Sequence, residues 1–446
     1  MISDSLTAAR VQMELSLGFH MIFAAIGIAM PVMMLIAERR WIRDRDRDAL
    51  ALARTWATLA AVTFAIGAVS GTALSFELGL LWPRFMAFAG PLIGPAFALE
   101  GYAFFVEAIF LGLYLYGWER LTPRAHWLCG WAVAVSGVMS GVLVLAANAW
   151  MQNPVGFRLG PGGTPVDVDA WAVLTNPAWP LMAAHSTLST YQAVGFAAAG
   201  TYAWALWRGG RPAATPYRRL GLAIAMTTAS GAAVLQPVLG DLLAKRAYVH
   251  QPAKLAAIEG QFVTERRAPL RIGGLPDVER RDTRYALEIP GALSFLAAAD
   301  VNAEVAGLNQ FPRDQWPNVR VAHFSFQIMV GAGMLMLLGA GWYWWTRWRQ
   351  RASGIDAALP RGLLLVLALC APLGFIALEA GWVVTEAGRQ PWVIYGVMRT
   401  ADAVTPVADV WGSLALFTSV YAALGMLLIF FLRRLARGGD ATAGGH

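Results

Sequence analysis

Long apolar runs separated by short polar segments follow one another along almost the whole sequence. Nine of these runs are long enough to cross the ~30 Å hydrocarbon core of a bilayer as a helix. They cover residues 14–37, 53–76, 94–117, 126–148, 181–207, 218–240, 322–346, 362–384 and 411–432. The pattern therefore predicts an all-α integral membrane protein with nine transmembrane helices in one bundle.

The composition agrees with a membrane location. Hydrophobic residues make up 57% of the 446 residues and charged residues 14%, whereas soluble domains are about 25% charged. The net charge of +7 would suggest a nucleic-acid partner in a soluble protein. Here most of the excess arginine lies in short connections between apolar runs, so we expect a lipid bilayer and no nucleic acid as partner.

The arginine-rich connections also predict the orientation. They follow the odd-numbered spans, for example residues 38–48 after the first span and RRLAR after the ninth. Positively charged short loops stay on the cytoplasmic side. We therefore expect the N-terminus outside the cell and the C-terminus in the cytoplasm. The first residues lack a basic region before the apolar run, so no cleaved signal peptide is expected.

One connection is far longer than the others. Residues 241–321 form a charged segment of about 80 residues between the sixth and seventh spans, and connections of such length usually carry function. The sequence thus predicts three parts: 1–240 with helices one to six, 241–321 as an outer loop, and 322–446 with helices seven to nine and a cytoplasmic tail.

Four potential iron ligands lie near the predicted outer ends of the spans. They are His20, His185, Met329 and Glu386. A histidine and a methionine form the axial pair of low-spin electron-transfer hemes. Two other interpretations remain open, because membrane histidines also bond neighbouring helices and methionines also fill apolar cores.

Two carboxylic acids lie in the third span. Glu100 and Glu107 are two turns apart, so both project from one helix face about 10 Å from each other along the axis. An acid inside a membrane is a candidate proton relay. Ser140 and Asn148 on the fourth span add a hydroxyl and an amide. The alternative is that the two acids pair with an arginine or a partner subunit.

Charged residues also end the eighth span. A continuous helix over Leu363–Trp382 is predicted to run into EAGWVVTEAGRQPW, residues 379–392. Polar groups at the mouth of a span usually bind something. The alternative is a simple helix end at Gly388 in which Glu386 and Arg389 pair. In the long loop, Lys254 and Glu259 are either functional or a solvated pair on an amphipathic helix.

These segments together resemble subunit I of the cytochrome bd family of quinol oxidases. The resemblance extends from about Arg10 to about Ala436. It rests on GRQPW (388–392) preceded by EAGW, ANAWMQNP (147–154), KLAAIE (254–259), FFVEAIFLGLYLYGWERL (104–121), and the contexts of His20 and His185.

The resemblance implies three hemes. His185 and Met329 would ligate a low-spin heme b, and His20 and Glu386 would each serve one of two high-spin hemes, a heme b and a heme d or a third heme b. Which high-spin heme belongs to which ligand stays open. The residues assigned to cofactor binding besides these ligands are Arg10, Asn148 and Trp382.

The resemblance also implies catalytic roles. Glu100 would lie beside the high-spin hemes, and Glu107 with Ser140 would lie on a proton route from the cytoplasm. Lys254 and Glu259 would bind ubiquinol or menaquinol, and Glu259 would accept a quinol proton. The resemblance assigns Arg389 to heme propionates or to the electron-accepting heme.

It further implies reduction of O2 to water, with charge separation but without pumping. Expected partners are a second membrane subunit and small single-span subunits in the bacterial inner membrane.

Many members have an arginine two residues before the methionine ligand, where this chain has Gln327; Arg320 is a candidate replacement cation. The rival classes are a bc-type diheme cytochrome b and a transporter that uses the buried acids.

Overall fold

The computed structural model describes residues 2–210, 213–352, 358–407 and 410–443, with side chains between Ser5 and Arg433 in those ranges. Most of the described chain is helical. The helices are α1 (Ile2–Asp44), α2 (Arg47–Leu81), α3 (Pro83–Tyr116), α4 (Pro123–Gln152), α5 (Ala170–Leu174), α6 (Trp179–Gly209), α7 (Pro216–His250), α8 (Pro252–Glu259), α9 (Ala292–Ala298), α10 (Val319–Ala352), α11 (Arg361–Leu369), α12 (Leu373–Ala387), α13 (Thr400–Ala403) and α14 (Val410–Ala443).

Short strands form antiparallel pairs in the connections. They are β1 (Arg158–Leu159), β2 (Pro165–Val166), β3 (Glu265–Arg266), β4 (Leu270–Ile272), β5 (Leu275–Asp277), β6 (Asp282–Arg284), β7 (Leu287–Ile289), β8 (Glu304–Val305), β9 (Trp392–Ile394) and β10 (Met398–Arg399). The pairs are β1–β2, β3–β8, β4–β7, β5–β6 and β9–β10. Three of them are nested between α8 and α10.

Eight segments of the described chain are long and apolar enough to cross a membrane. They are α1, α2, α3, α4, α7, α10, the stretch Arg361–Ala387 and the start of α14. The predicted fifth span corresponds to α6, which is 31 residues long but does not belong to the eight. Its first turns carry the polar run HSTLSTYQ (185–192), which lowers its mean hydropathy.

The chain divides into two compact units. Unit 1 comprises the described parts of 1–141 and 401–446, and unit 2 comprises those of 142–400. In unit 1, α1 and α2 run antiparallel with Phe23 against Gly67. Asp46 caps the start of α2, because its Oδ1 accepts hydrogen bonds from the Asp48 and Ala49 amides at 3.0 and 3.2 Å.

Small residues allow close helix packing in unit 2. A Cβ on Gly195 of α6 would lie 2.8 Å from the Ala229 side chain of α7, and Gly374 of α12 lies directly against Ala193 of α6. Glycine and alanine let membrane helices approach closely enough for extensive dispersion contact. The resulting bundle of α6, α7, α10, α11 and α12 carries four of the predicted heme residues, which are His185, Met329, Trp382 and Glu386.

The predicted eighth span is not one continuous helix. The prediction of an unbroken helix over Leu363–Trp382 is wrong, because α11 ends at Leu369 and α12 begins at Leu373. Pro372 lies at the break, and a proline has no backbone N–H to continue the helical hydrogen bonds. Gly200 of α6 packs against Ala371 at the same point.

The long connection between the sixth and seventh predicted spans is compactly folded. α7 extends to His250, beyond the predicted boundary at residue 240. α8 then buries Leu255–Glu259 in an apolar cluster. This cluster also contains Phe262, Leu293, Leu308 and Val319, so the segment is packed onto the first turn of α10.

Candidate functional site

The directions of the helices in unit 2 follow from side-chain contacts between them. Gly374 of α12 meets Ala193 of α6, and Ala371, just before α12, meets Gly200 further along α6. These helices therefore run antiparallel. Likewise Gly381 of α12 meets Met329 of α10, whereas Cys370 meets Gly339. Since α6 and α10 are both antiparallel to α12, they run parallel to each other.

His185 and Met329 lie at one level of these parallel helices. Gln192 of α6 and Met336 of α10 contact each other, with 3.9 Å from Gln192 Nε2 to the Met336 sulfur. Each of these residues follows a predicted ligand by two helical turns and so lies on the same helix face. His185 and Met329 thus lie on the faces that α6 and α10 turn toward each other.

The imidazole of His185 lies against α7. Gln236 Nε2 lies 3.3 Å from His185 Nε2 and donates to the His185 carbonyl oxygen at 3.1 Å. His185 Nδ1 is buried without a hydrogen-bond partner among the described residues. A Cβ on Gly240 would lie 3.6 Å from His185 Cε1, so a glycine leaves space beside the ring.

Met329 and Trp382 lie where α10 meets α12. A Cβ on Gly381 would lie 2.9 Å from the Met329 sulfur, so only a glycine fits there without a shift. Trp382 follows directly, and its buried indole nitrogen has no partner within the described parts of the chain. The predicted axial ligand Met329 and the predicted cofactor-binding residue Trp382 are therefore neighbours.

Glu386 is held from two sides at the end of α12. Asn148 Nδ2 donates to its Oε1 at 2.7 Å, and Arg389 Nη2 forms an ion pair with its Oε2. The pairing considered as the alternative from sequence is thus present. Arg389 is 2% exposed, and its Nη1 lacks a hydrogen-bond partner in the described chain.

Lys254 lies close to this ion pair. Its ammonium donates to Gln152 Oε1 at 3.2 Å and to the Thr385 carbonyl at 3.4 Å. Burial, with repulsion from Arg389, lowers the pKa of Lys254 to about 7, and attraction to Glu386 opposes the shift. A second basic group therefore lies beside the Glu386–Arg389 pair in a low-dielectric place, which favours an additional anionic group.

Glu259 ends α8 in the core of the long connection. It is 4% exposed, and its Oε2 has no hydrogen-bond partner among the residues described. Burial raises the pKa of Glu259 to about 8, and the nearby Arg271 guanidinium opposes the rise. The interpretation of Lys254 and Glu259 as a solvated pair is therefore wrong. A carboxyl with a pKa near neutrality is suited to proton transfer.

His20 belongs to unit 1 and is oriented by α2. Its Nδ1 lies 3.0 Å from Ser70 Oγ, and Ser70 Oγ donates to the Gly67 carbonyl at 3.1 Å. A Cβ on Gly71 would lie 2.9 Å from His20 Cε1. The hydroxyl occupies one ring nitrogen and leaves Nε2 for a ligand. Arg10 lies about three helical turns before His20 on α1.

The two acids of α3 face α4 within unit 1. Ser140 Oγ donates to Glu100 Oε1 at 3.1 Å, so the serine contacts Glu100 rather than Glu107, with which the resemblance groups it. Glu107 is 5% exposed and faces glycines of α1 and α4. Cβ atoms on Gly27 and Gly137 would lie 3.5 and 3.3 Å from its Oε1.

A buried pair beyond Glu107 was not predicted from the sequence. His126 Nδ1 lies 2.7 Å from Glu38 Oε1, and its Nε2 lies 2.8 Å from the Tyr114 carbonyl. Both side chains are almost fully buried. Tyr114 occurs two turns after Glu107 on the same face of α3. The sequence does contain a signal for this polar face: polar residues recur every seven positions on α3, at 100, 107 and 114.

Comparison with known proteins identifies the chain. A sequence profile described as cytochrome bd terminal oxidase subunit I matches residues 8–440. The chain belongs to this family. The match confirms the prediction of a cytochrome bd-type terminal oxidase subunit and decides against the bc-type and transporter alternatives. With eight long apolar helical segments in the part of the chain that the structure describes, this family member is a multi-pass bacterial membrane protein.

Individual cytochrome bd proteins are similar over nearly their whole length. A Bacillus subtilis protein named as a candidate cytochrome bd menaquinol oxidase subunit I is 37% identical over 433 residues, 96% of each chain. The cytochrome bd ubiquinol oxidase subunit 1 of the same organism is 31% identical over 454 residues, 98% of this chain and 95% of the relative.

A solved structure supports the fold assignment. The bd oxidase from Geobacillus thermodenitrificans matches with a TM-score of 0.89 and 38% identity. The match covers 97% of this chain and 98% of that one. The bundle described above is therefore the cytochrome bd subunit I fold.

The family implies bound hemes, and the side chains present fit them. His185 Nδ1 and Arg389 Nη1 are buried polar atoms without partners among the described residues, as expected where a group with a metal and carboxylates binds. Glycines leave space beside His20, His185 and Met329. Imidazole and thioether are the donors that heme iron takes in electron-transfer sites.

Proposed function

We propose that this chain oxidises quinol and reduces O2 to water as subunit I of a cytochrome bd-type quinol oxidase. Relatives named as menaquinol and ubiquinol oxidases support quinol as the substrate. The observation that carries the proposal is the common level of His185 and Met329 on the parallel helices α6 and α10. Such an arrangement fits one low-spin heme held between the two helices.

Each remaining ligand would serve one high-spin heme. We assign His20, oriented by Ser70, and Glu386, held by Asn148, to a heme b and a heme d or third heme b. Arg389 would neutralise propionates, and Trp382 and Arg10 would contact the cofactors. When bound, the hemes supply one-electron transfer and O2 binding. The protein supplies orientation and charge compensation.

The quinol site would lie in the segment 241–321, at α8. Lys254 would bind a quinol oxygen, and Glu259 would accept a quinol proton. The buried carboxyl suits this step because its raised pKa, about 8, makes the carboxylate a stronger base than a solvated one. Release of that proton outside would contribute to charge separation.

Protons for O2 reduction would arrive along the polar face of α3. Glu107 would pass a proton toward Glu100, whose carboxyl is already bonded to Ser140. Carboxylic acids two turns apart need intervening water to exchange a proton. With uptake from the cytoplasm and release outside, turnover separates charge without pumping.

The proposed topology places α6 as a ninth span, with the N-terminus outside and the C-terminus in the cytoplasm. Residues 1–240, 241–321 and 322–446 would then form the first six helices, the outer quinol loop and the last three helices with a cytoplasmic tail. The complex would lie in the bacterial inner membrane with a second membrane subunit and small single-span subunits. The large apolar surface of α14 suits contact with lipid or such a subunit.

The purified complex offers a direct test. We expect O2 consumption that depends on added quinol, and reduced-minus-oxidised absorption bands of heme b. Pyridine hemochrome analysis then identifies whether heme d is present. Absence of heme bands, or heme reduction that does not respond to quinol, would refute the proposal. Ubiquinol and menaquinol analogues compared at equal concentration identify the preferred substrate.

A further inference from the structure

The first turns of α10 hold a backbone segment of the quinol loop. Gln327 Nε2 donates to the Arg271 carbonyl at 3.0 Å, and the Gly273 amide donates to Gln327 Oε1 at 3.0 Å. One turn earlier on α10, His323 Nε2 lies 2.9 Å from the Gly273 carbonyl. Three hydrogen bonds thus fix residues 271–273 to the helix that carries Met329.

His323 also contacts the end of α8. Its ring is fully buried, and its Nδ1 lies 2.9 Å from the carbonyl of Ile258, the residue before Glu259. Gly260 follows in a left-handed conformation, with φ of 64°. A Cβ on Gly260 would lie 3.3 Å from His323 Nδ1. The turn that presents Glu259 is therefore packed tightly against His323.

The side chain of Arg271 is fixed from a different direction. Its Nη1 donates to Gln261 Oε1, and its Nε donates to Glu288 Oε1 at 2.9 Å. Glu265 Oε1 lies 3.9 Å from its Nη2. Only 13% of the Arg271 side chain is exposed. The guanidinium therefore has one position, set by the loop backbone and by these partners.

We propose that His323 and Gln327 are positioning residues for quinol oxidation: they hold Arg271 beside Glu259 and so set the protonation of the carboxyl that receives the quinol proton. This inference rests on the proposed role of Glu259. It also gives Gln327 a function of its own at a position where many family members have an arginine. In this chain the amide positions a cation of the loop instead of supplying a charge of its own.

The expected direction follows from the charges around Glu259. Arg271 favours the carboxylate, whereas Glu265 and Glu288 partly neutralise Arg271. Further titratable groups on the elements that enclose this turn are Lys254 on α8 and, on α10, His323 and Arg320, which donates to the Pro276 carbonyl at 3.3 Å. Moving Arg271 away raises the pKa of Glu259, so a base that must be deprotonated becomes active only at higher pH.

The pH dependence of kcat/KM for quinol tests the proposal. Gln327→Met keeps the length of the side chain and removes its hydrogen bonds. We expect the acidic limb of the profile to move upward by half a pH unit or more, which is about a threefold lower kcat/KM at a fixed pH below the limb.

Double variants test whether Gln327 acts on Glu259 through Arg271. Arg271→Gln should move the limb in the same direction, and adding Gln327→Met to it should cause little further movement, because both changes remove one interaction. Gln310→Ala, in an exposed part of the same loop, is the matched control and should leave the profile unchanged. If Gln327→Met prevents assembly, His323→Gln tests the other contact.

Two outcomes overturn the inference. One is a loss of activity in Gln327→Met with an unmoved acidic limb, and the other is a fully additive shift in the double variant. Failure of the proposed function has a different signature, because Glu259→Gln would then oxidise quinol at the normal rate. The heme absorption spectrum should remain unchanged in every variant of Arg271 and Gln327.

Discussion

Gln192 and Met336 meet across α6 and α10, with 3.9 Å between the amide nitrogen and the sulfur. This contact fixes the relative level of the two helices. Because His185 and Met329 precede these residues by the same two turns, the contact also fixes the level of the proposed axial ligands. Met329 and Met336, both on α10, can therefore be compared directly: Met329 is proposed to bind iron, whereas Met336 packs against Gln192.

Exchange of these two methionines for leucine should separate ligation from packing. Met329→Leu removes a thioether at nearly constant volume and should abolish the low-spin heme b absorption band. Met336→Leu on the same helix should retain that band, because leucine fills a similar space. The measurement is the reduced-minus-oxidised spectrum of the purified complex. An unchanged spectrum in Met329→Leu would contradict the assigned ligation.

Ser70 should control the heme held by His20. Ser70→Ala removes the partner of His20 Nδ1, and loss of such an orienting group typically costs 10–100-fold in metal affinity or activity. We expect a lower content of high-spin heme with the low-spin band intact. Ser75→Ala, an exposed serine further along α2, is the control. Equal heme content in the two variants would rule out the orienting role.

Glu107 should limit proton delivery. Glu107→Gln keeps the size of the side chain but cannot take up a proton, so we expect the rate of O2 consumption to fall about tenfold or more with heme content retained. Glu119→Gln, on the exposed surface just after α3, should not change the rate. Undiminished O2 consumption in Glu107→Gln would remove this residue from the route.

Glu259 should determine the acidic limb of the pH profile of quinol oxidation. Only the carboxylate accepts a proton, and burial raises the pKa of this group to about 8. The value of kcat/KM for quinol should therefore rise with pH up to about 8, and Glu259→Gln should be slow at every pH. Glu279→Gln serves as control, since its side chain is 80% exposed in the same loop. A rising limb that persists in Glu259→Gln would contradict this role.

The buried pair of His126 and Glu38 should matter for stability. His126→Ala removes the partner of Glu38 Oε1 in a dry place, which costs about 3 kcal/mol in the free energy of unfolding. Thermal denaturation of the detergent-solubilised complex measures the effect. Asp167→Asn breaks an exposed pair with Arg158 and should leave the midpoint unchanged. Similar midpoints for both variants would contradict the prediction.

The apolar pattern predicted the helices well, but not their interruptions. Hydropathy averages over a whole span, so it gave one helix where Pro372 separates α11 from α12. It also gave a boundary at residue 240, although α7 continues to His250. Local breaks and extensions depend on single residues and on tertiary contacts, which an average over about 20 residues does not resolve.

The ligand candidates could be found from the sequence because they are unusual residues in apolar surroundings. Their partners could not. Ser70, Gln236 and Gln152 are common polar residues, and they acquire a role only because another helix brings a predicted site residue to them. Likewise the sequence shows only that Gln327 lacks the positive charge of an arginine, whereas its two hydrogen bonds to the loop backbone are visible only in the fold.

The nested strand pairs of the segment 241–321 have a consequence for changes in its length. β3–β8 is the outermost pair, β4–β7 lies inside it, and β5–β6 closes the tip around residues 278–281. Extra residues at that tip lengthen only the innermost turn, and doubling a flexible loop adds only about 0.6 kcal/mol of closure entropy. The tip can therefore accept an inserted peptide or a purification tag while the strand pairs β3–β8, β4–β7 and β5–β6 keep their register.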